Sequence, residues 1–178
     1  MKVHFIVTQS FLRTAARTDP FYDPIIQVIE KLPDIEWEVF VSHNCVECGY
    51  PAEKLDEFHA LYVCSVWFYR FCRLIAWRVP SWKIYQWFGK LSRPFFVRKF
   101  NADVVVTQSG QFADVFATLL PRARVVDVQH GVIHSRHRGY FDVDCRLLPI
   151  YRDMRLREFW VYGEGYVECF FKHPDNAK

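Results

Sequence analysis

The residues in this chain whose types and order best suit chemistry are Gln129, His130 and Gly131, followed by a loop carrying His134, Arg136, His137 and Arg138. Val125, Val126 and Val128 precede them in a β-branched run, so His130 falls where a strand ends. An imidazole at a strand's exit is suited to general-base work, because its unperturbed pKa lies near operating pH. Gly131 allows a positive φ and lets its backbone N–H approach a ligand closely. Asp127 lies two residues before Gln129 and so on the same strand face. On a strand that reads as buried, a carboxylate needs a partner. It either orients a loop donor or a histidine, or it makes a structural bond to a neighbouring helix. The arginines and histidines beyond Gly131 give the loop a cationic character that fits a phosphate or a carboxylate. His130, His134 and His137 fall at i, i+4, i+7, a spacing that could gather a metal on a helix. Gly131 and Gly139 argue for a loop instead, and no carboxylate follows until Asp142, so no metal is expected.

A second polar run, Thr107, Gln108, Ser109 and Gly110, offers hydroxyls, an amide and backbone N–H groups for substrate binding. It lacks the lysine of a phosphate-binding P-loop, and no G-x-G-x-x-G occurs anywhere, which disfavours a dinucleotide enzyme. The absence of a G-x-S-x-G elbow disfavours that class of hydrolase. Cys45 and Cys48 supply at most half of a conventional zinc site and read as two thiols in a turn.

Both polar runs need a frame that brings them together. Residues 103–142 read as strand, turn, helix, strand and loop. Val104, Val105 and Val106 form an unbroken β-branched run, as in a strand covered on both faces. An apolar helical segment over 112–120 is closed by Pro121, and a strand over 124–129 follows. This is a βαβ unit, and in open α/β sheets function gathers in loops at the carboxyl ends of the strands. The rest of the chain extends the pattern. A strand over 2–8, central and parallel, is followed by a polar connection. Asp23 as N-cap and Pro24 at the first position start a helix to about Leu32, which Pro33 ends. A strand is predicted over 35–41, helices over 53–79 and 82–91, and a separate helical piece over 95–100. A short buried strand over 158–163 and a helix over 164–172 complete the series. The predicted fold is α/β, a single Rossmann-like parallel sheet with helices on both faces over 1–172, with a polar linker over 173–178.

Composition agrees with a globular domain: 51% of the 178 residues are hydrophobic and 24% charged. The first residues read as a strand rather than a signal peptide, so the six irregularly placed cysteines are expected to be reduced thiols in a cytoplasmic protein. The longest apolar stretch, 60–69, is stopped by Arg70 and Arg73, short of the roughly 18 residues a bilayer-spanning helix needs. Between Glu57 and Asp103 there are eight basic residues and no acidic one, although the whole chain carries only +3. The same segment holds Trp67, Trp77, Trp82 and Trp87. Cations mixed with tryptophan are what an interfacial helix uses on an anionic membrane. The competing reading is aromatics packed on the sheet beneath a solvated basic face. Nucleic acid is not expected as a partner, because the overall charge is modest and no nucleic-acid motif occurs.

DVVVTQSG (103–110), VVDVQHGVIH (125–134), GY (139–140) and FWVYGEGYVECF (159–170), in that order, resemble the amino-terminal half of a bacterial GT-B glycosyltransferase. The similarity is strongest to those that build capsule, lipopolysaccharide or other surface polysaccharide. In that family a strand ends in Gln-His-Gly and another in a V-x-G turn, here Val161, Tyr162 and Gly163. The resemblance implies an acceptor-binding domain for a glycan or lipid-linked acceptor, with His130 as candidate base and Gln129 and Gly131 shaping its turn. It implies no cofactor in this half, since the nucleotide-sugar donor binds a carboxyl-terminal domain. That domain is expected beyond Lys178 or on a separate polypeptide, and the chain alone is expected to lack transferase activity. The resemblance also implies a cytoplasmic protein, peripheral on the inner face of the cytoplasmic membrane, with segment 60–100 as the docking surface. The alternative is a non-catalytic, membrane-associated α/β module of a glycan-assembly complex.

Overall fold

The computed structural model describes residues 1–7, 23–41, 55–128, 158–160 and 163–164. The element order is β1 (Lys2–Val7), α1 (Asp23–Ile29), β2 (Glu36–Val41), α2 (Leu55–Ile75), α3 (Ser81–Phe96), β3 (Val104–Thr107), α4 (Gly110–Leu119), β4 (Arg124–Val128) and β5 (Glu158–Trp160). The five strands form one sheet in the order β2-β1-β3-β4-β5, and every pairing is parallel. The fold is the α/β, Rossmann-like sheet that the sequence predicts, with β1 in its interior.

Register explains how the strands divide their side chains, because residues paired across parallel strands share a face. His4, Glu38, Val105 and Val125 stand in one row, and Ile6, Phe40, Thr107, Asp127 and Phe159 in the next row on that face. This face meets α2, α3 and α4 in a core built around Phe58, Leu61, Phe88, Phe100, Phe112 and Phe116. The opposite face carries Val3, Phe5, Val39, Val106, Val126 and Val128, and is covered by Ile25, Ile26 and Ile29 of α1. Helices therefore lie on both faces. Burying a large apolar side chain stabilises by about 1.5–3 kcal/mol, so these two clusters are what hold the sheet against its helices.

Several boundaries differ from the sequence-based expectation. Helix α1 stops at Ile29 rather than Leu32, because its last turn tightens: Lys31 N–H donates to the Val28 carbonyl at 3.2 Å and Leu32 N–H to Ile29 at 2.9 Å. Pro33 disfavours helical conformation at Leu32, so the chain does not resume the helix there. Helix α3 does not end near Leu91 but runs through Pro94 to Phe96, so 95–100 is no separate helix. Pro94 deletes one backbone bond in the last turn, and the turn continues regardless, with Val97 N–H donating to Arg93 at 3.0 Å and Phe100 N–H to Phe96 at 3.2 Å. Packing of Phe96, Val97 and Phe100 on the main core outweighs the lost bond. Strand β5 is described over Glu158–Trp160, last in the described sheet, and there it is not buried as expected: Trp160 is 41% exposed. Arg124 grips both carboxylate oxygens of Glu158, at 2.5 and 2.6 Å, and its guanidinium lies 5.9 Å from the Trp160 ring centroid. That grip holds the Glu158 carboxyl below the usual carboxylate range.

The turn between α2 and α3 is clamped by Arg73. Its Nε donates to the Tyr69 hydroxyl at 2.9 Å, one terminal nitrogen donates to the Trp77 and Val79 carbonyls, and the other to Ser81 Oγ. Tyr69 stacks on Tyr85 with centroids 5.2 Å apart. Burial pushes the Tyr85 phenol from 10.0 up to about 12, with Tyr69 and Tyr62 acting in the same direction. Because the folded state favours the protonated phenol, its contribution to stability is intact below pH 10 and is lost as pH rises towards about 12. Tyr85→Phe is expected to change stability at pH 7 by less than about 1 kcal/mol and to flatten the alkaline fall. Unfolding midpoints measured across that pH range check it.

Candidate functional site

The strand order creates a switch point. From β1 the chain goes to α1 and outward to β2, and from β3 it goes to α4 and outward to β4, in the opposite direction along the sheet. Helices α1 and α4 also pack on opposite faces. In open α/β sheets the crevice beyond the carboxyl ends of two such strands is where ligands bind. The candidate site therefore lies beyond β1 and β3, with the exit of β4 next to it.

The β3–α4 turn is tighter than the sequence suggests. Thr107 still belongs to β3 and Gly110 already opens α4, leaving Gln108 and Ser109 as the connection. Thr107 is wholly buried, and its Oγ1 accepts a bond from the Ser109 N–H at 3.1 Å, which bends the chain away from the strand. Gln108 and Gly110 are also buried, so of these four residues Ser109 alone keeps partial exposure. Ser109 occupies the N-cap position with φ −130° and ψ 110°, and its carbonyl accepts from Ala113 N–H at 2.8 Å. Its hydroxyl makes no cap bond, and the first turn of α4 has no acidic side chain. A helix N-terminus without an acidic residue in its first turn suits hydroxyl or anionic groups of a ligand.

Asp127 is 1% exposed on β4, flanked in register by Thr107 of β3 and Phe159 of β5. The residue does engage a partner. It stands one residue from the end of β4. Gln129, His130 and Gly131 follow directly on β4 but lie outside the described residues, as do His134, Arg136, His137 and Arg138. Cys45, Cys48, Val161, Tyr162 and the helix expected over 164–172 likewise fall outside them, apart from Gly163 and Glu164.

Two buried polar groupings are not anticipated from the sequence. His4 on β1 is fully buried, with Nε2 3.1 Å from Glu38 Oε2 and its ring 4.8 Å from that of Phe40. Lys2 Nζ approaches the other oxygen of Glu38 at 3.4 Å. The signal was the shared parity of His4 and Glu38, which becomes a contact only once β1 and β2 are known to be neighbours in this register. The pair lies one row nearer the amino ends of the strands than Asp127, and it ties β1 to β2. The second grouping joins α3 to α4. Gln86 Nε2 donates to Asp114 Oδ1 at 3.3 Å, and the Thr118 hydroxyl lies 3.0–3.1 Å from the carbonyls of Gln86, Asp114 and Val115. These bonds fix α4, and with it the turn that α4 opens from.

Among the described residues, no three histidine, cysteine or acidic side chains come together to hold a metal. No family model matches this chain, and neither a curated protein nor a solved structure matches it.

Proposed function

We propose that this chain is the acceptor-binding half of a glycosyltransferase for cell-surface glycan synthesis, with His130 as the base that takes the proton from the acceptor hydroxyl. The observation that carries the proposal is the strand order: β3 and β4 are parallel neighbours beside a switch point, so the 107–110 turn and the chain leaving β4 start from one sheet edge. A base after β4 and hydrogen-bonding groups after β3 are what an acceptor hydroxyl needs, one to remove its proton and the other to hold the sugar. The nucleotide-sugar donor belongs, on this reading, to a second domain outside residues 1–178.

A direct test is ligand binding by the purified chain. Glycan or lipid-linked oligosaccharide acceptors extracted from the native host are expected to bind, and Ser109→Ala to weaken that binding. Nucleotide sugars are expected not to bind. Tight nucleotide-sugar binding without acceptor binding, followed by calorimetry, sinks the proposal.

The second reading is a non-catalytic, membrane-associated module of a glycan-assembly complex. It is favoured by the exposed aromatic and basic surface of α2 and α3. The two separate on His130: the module keeps its function when that imidazole is removed.

A further inference from the structure

Trp82, in the first turn of α3, carries a buried donor that nothing among the described residues satisfies: no acceptor lies within hydrogen-bond reach of its indole Nε1. The ring as a whole is only half-buried, with the Lys83 ammonium 5.3 Å from its centroid. A covered indole N–H ordinarily finds a partner, because a dry donor has given up its hydration with no replacement. An indole can only donate, so whatever completes it must bring an acceptor atom.

The packing of α3 on α4 places this donor. Trp82, Tyr85, Gln86 and Gly89 share one stripe of α3. That stripe meets α4: Gln86 donates to Asp114 and accepts from Thr118, and Gly89 lies against Val115 and Thr118. The two helices run the same way. From α3 the chain comes down to the amino edge of the sheet, where Asp103 N–H donates to the Lys2 carbonyl at 2.9 Å before β3 begins. Helix α4 starts at the carboxyl edge, where β3 ends. One turn back from Gln86 is Trp82, and one turn back from Asp114 is Gly110. Trp82 therefore stands beside the opening turn of α4, whose Ser109 hydroxyl makes no cap bond. Helix α2 adds an aromatic wall to the same turn, since half-buried Tyr62 stacks on Phe112 with centroids 5.8 Å apart and 9° between the ring planes. Aromatic walls around a few neutral polar groups are what a cleft for an uncharged, hydroxylated ligand offers. On the acceptor reading proposed above, we infer that Trp82 is a binding residue of the acceptor site, its indole N–H donating to an oxygen of the sugar that Ser109 also holds.

The test is a proton–nitrogen correlation spectrum of the isotope-labelled full chain, in which each of the six tryptophans gives one indole peak. The Trp82 peak is assigned through its neighbouring backbone amides. The probe is oligosaccharide released by mild acid from the surface glycan of the native host. In the free chain the Trp82 peak is expected upfield, where an unbonded indole N–H resonates, and oligosaccharide is expected to move it downfield. Trp82→Phe keeps an aromatic ring and removes the donor. It is expected to weaken oligosaccharide binding about three- to tenfold, the worth of one hydrogen bond, while the unfolding midpoint stays near that of the parent chain. A tryptophan with only a structural role would lower the midpoint on replacement and keep its peak unmoved by oligosaccharide. Oligosaccharide binding with an unmoved Trp82 peak, or with equal affinity for the parent chain and Trp82→Phe, overturns the inference and leaves the acceptor reading standing. So does a Trp82 peak already downfield before oligosaccharide is added, because a trapped water then completes the donor. No oligosaccharide binding by the parent chain overturns both.

Discussion

Gly89→Ala is expected to destabilise the protein by about 1–3 kcal/mol, the usual range for overpacking a filled contact. The sign is the informative part. In an exposed helix the same change stabilises by about 1 kcal/mol, since alanine has the higher helix propensity. At Gly89 a Cβ would run into the Thr118 hydroxyl and the Val115 carbonyl of α4. The hydroxyl can rotate at the cost of its hydrogen bonds, but the carbonyl is backbone and cannot move without shifting α4. Helix α3 must therefore lift away, opening the interface that Gln86, Asp114 and Thr118 bond across. Urea unfolding midpoints measure the effect. Thr118→Ala combined with Gly89→Ala should recover part of the loss, because it removes one of the two obstacles. A midpoint raised by Gly89→Ala would mean that α3 and α4 are not in contact there.

His130→Ala is expected to lower sugar transfer by about 10²–10⁴-fold, the range for losing a positioned general base. The assay uses residues 1–178 together with the donor-binding domain that the proposal requires. Turnover should fall while the unfolding midpoint stays near that of the parent chain. Asp127→Asn should behave differently. Asp127 is buried between Thr107 and Phe159, so its replacement is expected to affect stability as well as rate.

The elements that depend on local composition were legible in the sequence. The valine runs of β3 and β4, the apolar segment of α4 and the proline-bounded α1 and α2–α3 region all identified themselves, and their alternation implied a parallel sheet. What depends on neighbours was not legible. The sequence divides 82–91 from 95–100, and α3 instead passes through Pro94 because Phe96 and Phe100 pack on the main core. Residues 158–163 read as a buried strand, yet Trp160 is 41% exposed on β5, the last strand of the described sheet. Gly89 carries no signal in the sequence, and only the crossing with α4 gives it a purpose. At the candidate site, the sequence identified the polar turn after β3 but not that Thr107, Gln108 and Gly110 are buried and that Ser109 keeps the exposed surface. Burial of a turn depends on the helices packed over it, which no local pattern encodes.

The central claim is that this chain contributes an acceptor-side base to surface-glycan synthesis, and complementation tests it most directly. The gene is deleted from its native host, and the sugar composition and length of the surface polysaccharide are measured after restoring either the parent chain or His130→Ala. The proposal predicts a lost or shortened glycan in the deletion, repaired by the parent chain and not by His130→Ala expressed at the same level. An unaltered glycan in the deletion strain, or full repair by His130→Ala, contradicts it.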